Sequence, residues 1–260
     1  MNKCVGSLLL VILMVSSNGT VSGAPVDIPL SLKGIDEENT NFHVSFESDF
    51  LAERDLNDFD GVIEEANFYS IKFVSPLYSK DITQANAYFG IGQVGDAVYK
   101  ATFLGQDVKY NLDESIAWET GINFCIGKFS ENNIIHVVDV KYRRAESMEY
   151  GSVVVGNKTY SASQLSLAND AKYDEWQVAF LLCKKIGVLL PYVGAKYSDV
   201  RVSAKVQAGG TVYNMNTTRS DKVLGVVLGC SLFAGDNFIV DAETRFGDEI
   251  GITLRAGYSF

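Results

Sequence analysis

The sequence predicts an all-β chain, an antiparallel up-and-down β-barrel of about ten strands that crosses a membrane, with about eight or twelve as the neighbouring even counts. Three observations predict it. Apolar and polar residues alternate with period two over one stretch after another. Short and long connections between those stretches alternate as well. The chain opens on a secretory pattern and closes on an aromatic residue.

The opening segment comes first. Met1-Asn2-Lys3 supplies a positive start, Val5 to Val15 (VGSLLLVILMV) is an apolar run, and the small, polar SSNGTVSGA follows. Basic, apolar and small-residue regions in that order form a signal peptide pattern. The apolar run is well short of the roughly 20 residues that a membrane-spanning helix needs. Residues 1–24 are therefore expected to be a signal peptide, cleaved near Ser22 to Ala24, with Pro25 leaving the bond itself open. Residues 25–40 (PVDIPLSLKGIDEENT) read as a polar periplasmic lead-in and residues 41–260 as a single barrel domain.

After Val26 no apolar run reaches transmembrane-helix length, yet 47% of the chain is apolar and 12% aromatic. Membrane strands hide their apolarity in just this way, by alternation. Four prolines and 23 glycines suit long strands joined by tight turns. The net charge of −10, without a Lys/Arg cluster, gives no reason to bind nucleic acid. Cys4 leaves with the leader; Cys125, Cys183 and Cys230 are far apart and have neither disulfide nor metal-ligand spacing.

The expected strands lie at 42–51, 67–76, 84–93, 115–127, 133–144, 173–185, 187–200, 221–232, 236–247 and 249–260. The links after the second, fourth, sixth and eighth are short, at or near LYSKDIT, FSENN, IG and AGDN. Those after the first, third, fifth and seventh (52–66, 94–114, 145–172, 201–220) are long and polar, and read as external loops. GDE, after the ninth strand, is short and breaks the pattern. Both chain ends are then expected on the periplasmic side.

The lipid-facing side follows from alternation. The last strand sets Ile250, Ile252, Leu254, Ala256, Tyr258 and Phe260 against Thr253, Arg255, Gly257 and Ser259. The ninth sets Phe238, Val240, Ala242, Thr244 and Phe246 against Asp241, Glu243 and Arg245. Aromatic residues near strand ends, among them Phe42, Trp118, Tyr142, Trp176, Tyr197 and Phe246, match the interfacial girdles of a membrane barrel.

The opposite faces supply the candidate site, a charge network in the lumen. Its acids are Glu47, Asp49, Glu119, Asp139, Glu175, Asp241 and Glu243; its bases are Lys72, Lys141, Arg143, Lys196, Arg245 and Arg255. Charges in a narrow lumen must be paired or hydrated. Taking position 249 as the hairpin centre puts Glu243 level with Arg255 as a cross-strand pair, with Arg245 close by. About ten strands make a lumen that side chains nearly fill; a wide aqueous channel takes about 16.

Enzyme motifs are not found. The chain has two histidines: His43 opens the first strand, and His136 shares the lipid-facing side with Ile134 and Val138. No GxSxG, HExxH or phosphate loop is present, and GIGQVG (90–95) lies in a strand with no following helix. No catalytic residue, cofactor or metal site is expected.

The stretches EWQVAFLLCKKIGVLLPYVGAKYSDVRV (175–202) and DAETRFGDEIGITLRAGYSF (241–260) resemble the bacterial outer membrane protein beta-barrel domain, a broad group of small porin-like barrels. PYVGAKYSD and RFGDE…GYSF are the most specific parts, and the resemblance extends over residues 40–260. It implies a monomer held in outer-membrane lipid and inserted by the barrel assembly machinery, for which Tyr258 and Phe260 would form the signal. It implies no single activity. The expected function is a non-enzymatic barrel of the bacterial outer membrane, structural or narrow and porin-like. The alternative is an adhesin or receptor that binds a ligand or surface through its external loops.

Overall fold

A computed structural model describes residues 42–57, 61–80, 83–103, 105–129, 134–165, 171–208 and 211–260. The expected signal peptide and lead-in lie outside the described residues. The strands are β1 (His43–Asp55), β2 (Val62–Lys80), β3 (Thr83–Phe103), β4 (Gln106–Leu112), β5 (Ser115–Phe129), β6 (Ile134–Met148) and β7 (Tyr150–Val155). β8 (Lys158–Ser161), the single-turn helix α1 (Ala162–Leu165), β9 (Ala171–Lys184), β10 (Leu189–Ala208), β11 (Thr211–Arg219), β12 (Leu224–Ala234), β13 (Phe238–Phe246) and β14 (Ile250–Ser259) complete the chain.

Ten of these close an antiparallel ring in the order β1, β2, β3, β5, β6, β9, β10, β12, β13, β14, with β14 pairing back onto β1. They are the ten strands expected from alternation. The remaining strands correct the reading of the long links as loops. β3 pairs with β4 along its upper half and with β5 along its lower half. β4 and β7 pair with each other as β5 and β6 do. β10 likewise pairs with β11 above and β12 below. So β4 continues β5, β7 continues β6 and β11 continues β12, with breaks between. β3 runs for 21 residues, about 70 Å at roughly 3.3 Å per residue, where about 9–11 residues span a bilayer. The supposed loops are barrel wall raised beyond the membrane, because a backbone leaving the bilayer still gains from laddered hydrogen bonds. Asp96 (φ 50°) and Ser147 (φ 56°) mark kinks in β3 and β6 where the upper wall begins.

The short β13–β14 hairpin leaves one side of this wall low. It is roofed from above: the end of β1 pairs with the end of β11 through a Leu56–Ser220 bridge. The Asn57 N–H donates to the Arg219 carbonyl at 2.9 Å and the Asp221 N–H to the Asp55 carbonyl at 3.0 Å. Asp248 and Glu249, at the hairpin tip, are buried beneath.

The distribution of side chains is inside-out. Phe46, Ile71, Phe89, Phe180, Leu228 and Leu254 point outward and are exposed, while Arg54, Arg245, Lys72, Lys141 and Lys196 are among the largest fully buried side chains. A contiguous apolar belt of this extent on an outer surface calls for a non-aqueous surround. Aromatic rings edge it. Trp118, Tyr142 and Trp176 form a ladder, with centroids 5.4 and 4.7 Å apart, towards the loop end. Phe42–Phe73 and Tyr258–Phe260 pair at the turn end, where the short connections lie. These are the two girdles of a membrane barrel.

Candidate functional site: the barrel lumen

Alternation delivers the charged side chains to one interior, and barrel closure brings them together. Arg143 of β6 is the centre. Its Nη1 donates to Asp49 at 2.6 Å, and its Nε and Nη2 donate to Glu119 at 3.1 and 3.0 Å. Its Nη2 also lies 3.3 Å from Glu47. Lys72 joins the same carboxylates, 2.7 Å from both Glu47 and Glu119, and the Lys141 ammonium lies 4.0 Å from Glu119. Arg245 donates to Asp49 at 2.6 Å, to Glu243 at 2.8 Å and to Thr253 at 2.6 Å.

Towards the loop end a second knot forms around residues that alternation did not single out. Arg54 contacts Glu175 at 3.0 Å, Asp248 at 3.0 Å and Glu249 at 2.8 Å. Lys196 sits 3.1 Å from Asp248 and in direct contact with Glu249. Arg245 joins the two knots through Glu249 at 3.2 Å. Arg54 lay in a segment read as loop, and Asp248 and Glu249 in a turn. The one available signal was the anomalous brevity of GDE.

The cross-strand pair expected between Glu243 and Arg255 is corrected. The register sets Arg255 opposite Asp241, and Glu243 opposite Thr253. The hairpin centres on Asp248, one residue before the expected point, and moving the centre by one residue moves each partner by two. Arg255 Nε donates to Asp241 at 2.8 Å. Glu243 instead accepts from Arg245 and, at 3.1 Å, from the Tyr192 hydroxyl. Asp139 accepts from the Tyr88 hydroxyl at 3.0 Å.

Both tyrosines lie over a glycine directly opposite on the next strand, Tyr88 over Gly121 and Tyr192 over Gly229. A Cβ on Gly121 would fall 2.2 Å from the Tyr88 hydroxyl, and one on Gly229 would fall 2.2 Å from Tyr192 Cζ. Neither place tolerates a side chain while the ring lies flat and its hydroxyl reaches a carboxylate.

Apolar layers lie on either side of these charges. At the turn end Cys125, Ile135, Leu181, Cys183, Leu190 and Ile239 pack into the lumen. At the loop end Leu51, Ile63, Phe68, Val94, Met148 and Tyr173 do the same. His43 is buried in the lumen, and among the described residues neither ring nitrogen has a hydrogen-bond partner. His136 is on the outer face, its ring 5.7 Å from Phe180. The two histidines are therefore on opposite faces of the wall. Tyr258 and Phe260 are exposed at the turn-end girdle, and the Phe260 N–H donates to the Phe42 carbonyl at 3.0 Å.

An apolar outer belt, two aromatic girdles and a charged interior in a closed ten-stranded ring define an outer-membrane β-barrel. No protein-family model matches the chain. It is similar to the major outer membrane porins of Chlamydia trachomatis serovars E and B, each at 25% identity over 34% of this chain and 32% of the relative. The chain thus spans about a third of the length of the curated relatives it matches. Among solved structures it is similar to the transport unit of the autotransporter AIDA-I from Escherichia coli (10% identity, TM-score 0.45, 89% of this chain and 94% of that one). It is similar also to the β domain of the Bordetella autotransporter BrkA (9%, 0.46, 85% and 99%) and to the outer membrane protease OmpT from Escherichia coli (10%, 0.45, 85% and 97%).

Proposed function

We propose that this chain is a closed, non-enzymatic barrel of a bacterial outer membrane, anchored there as a structural element. Both chain ends would lie on the periplasmic side, and Tyr258 and Phe260 would be read by the assembly machinery. The observation that carries the reading is the middle of the lumen. Arg143, Lys72, Glu47, Asp49 and Glu119 contact one another there at ion-pair distance, every one of them buried. A hydrated pore leaves such groups to water, whereas this lumen matches each with a counter-charge and packs apolar side chains above and below.

Planar-bilayer recording of the folded full chain tests it. The closed barrel gives no discrete conductance steps, and steps whose ion selectivity changes with Glu47→Gln would overturn closure. A second reading, binding of a ligand or surface at the loop end, is favoured by the raised wall of β3, β4, β7 and β8. Deleting the β7–β8 hairpin separates the two, since it abolishes surface binding and leaves the barrel folded.

A further inference from the structure

We infer that the outer face of the barrel, just above the loop-end girdle, carries a binding site for the phosphate of an anionic lipid headgroup, centred on Arg201 and Arg219. The inference rests on the membrane placement of the barrel and not on whether the lumen conducts, which the bilayer recording reads separately. Strand register assembles the site. Arg144 of β6 stands opposite Asp174 of β9, Asp174 opposite Arg201 of β10, and Arg201 opposite Arg219 of β11. One outward-facing row thus holds three arginines and a single aspartate. In the row below, one outward position nearer the membrane, Tyr142 and Trp176 of the aromatic ladder face each other. Girdle rings sit at headgroup level, so the arginines lie where lipid phosphates lie.

The acids nearby are engaged mainly at one end of the row. Arg144 lies 2.5 Å from Glu146 and 3.5 Å from Asp174, and Asp174 also accepts from the Tyr142 hydroxyl. Arg201 pairs with Asp199 of its own strand at 3.1 Å, but at the exposed surface, where such a pair contributes little. Arg219 is exposed, and among the described residues no carboxylate lies within ion-pair distance of it. Like charges directly opposite on neighbouring strands repel. A phosphate between Arg201 and Arg219 replaces that repulsion with two charge-assisted contacts, because each guanidinium presents a planar fork of N–H donors that matches phosphate oxygens in pairs. The chain as a whole, at a net charge of −10, repels anionic lipid. A preference for such lipid therefore reports the row and not the general field.

The two tryptophans of the chain, Trp118 and Trp176, are the reporters. Trp118 stands opposite Arg144, and Trp176 lies one outward position below Asp174. The folded full-length chain is placed in phosphatidylcholine nanodiscs in which a minor fraction of the lipid carries brominated acyl chains, which quench tryptophan on contact. Phosphatidic acid, whose headgroup is a bare phosphate monoester, should quench about fivefold or more more effectively than phosphatidylcholine when each is the brominated lipid at the same fraction. Arg201→Gln and Arg219→Gln should each bring the two lipids to within about twofold of each other. Lys222→Gln, which removes an exposed cation paired with Asp55 outside the row, should leave the preference in place. Inorganic phosphate in the buffer should not compete. Folding of each variant is checked by heat-modifiable migration. Equal quenching by the two lipids in the parent overturns the inference without recourse to any variant. So does a preference that survives in folded Arg219→Gln, or one that falls as far in Lys222→Gln. Competition by inorganic phosphate would give the row to a free anion and overturn the lipid site.

Discussion

Arg245 on β13 reaches past β14 to Asp49 on β1, with Nη2 and Oδ1 2.6 Å apart, and Thr253 on the intervening strand hydrogen-bonds both. This three-strand clasp crosses the seam where the last strand closes on the first. Asp49 accepts there from Arg245 and Thr253 on one oxygen and from Arg143 on the other. Asp49→Asn withdraws the counter-charge from two buried arginines at once. The expected loss is about 2–3 kcal/mol, below the roughly 3–5 kcal/mol of a fully stranded buried charge, because Glu47 and Glu119 still face Arg143 and Glu243 and Glu249 still face Arg245. Urea unfolding from lipid vesicles measures it; a loss below about 1 kcal/mol would show that water reaches the site.

The register of the last hairpin is open to a double-mutant cycle. Arg255→Met should couple strongly with Asp241→Asn, so that the double variant recovers stability lost by either single change. Arg255→Met and Glu243→Gln should be nearly additive, because Glu243 is held by Arg245 and Tyr192. Coupling of Arg255 to Glu243 in place of Asp241 would require a different register.

Gly121 and Gly229 are covered by tyrosine rings, so alanine at either one must displace the ring or the strand. Gly121→Ala and Gly229→Ala should each cost about 1–3 kcal/mol, as overpacking generally does. Tyr88→Ala in the Gly121→Ala background, and Tyr192→Ala in the Gly229→Ala background, should cost less than the sum of their parts. Full additivity would mean that ring and glycine do not touch.

The belt is tested from outside. Leu228 is exposed on the outer face of β12, between Leu224 and Leu232. Leu228→Arg should destabilise the barrel in a bilayer by about 2–4 kcal/mol, the cost of a cation near mid-membrane. Lys158→Glu, on the exposed β8 of the raised wall, should change stability little. Equal effects for the two would place the membrane elsewhere on the barrel.

Period-two alternation is a local property, so the sequence by itself determined the ten membrane strands and the face each turns outward. Alternation along β13 suffices to set Asp241, Glu243 and Arg245 apart from Phe238, Val240 and Phe246. Where outer residues become polar the alternation fades, and β4, β7 and β11 read as loops although their backbones remain laddered. Arg54 was hidden for the same reason.

Only the tertiary structure decided which charge meets which. Strand closure brings together Arg54 and Glu175, or Asp49 and Arg245, across more than a hundred residues of chain. Their meeting depends on the stagger accumulated around the whole ring, and one residue of error in a single turn shifts a partner by two. Asp248 and Glu249 are buried because the ends of β1 and β11 join above them. Nothing local to a three-residue turn reports a roof built by segments more than twenty residues away in one direction and nearly two hundred in the other.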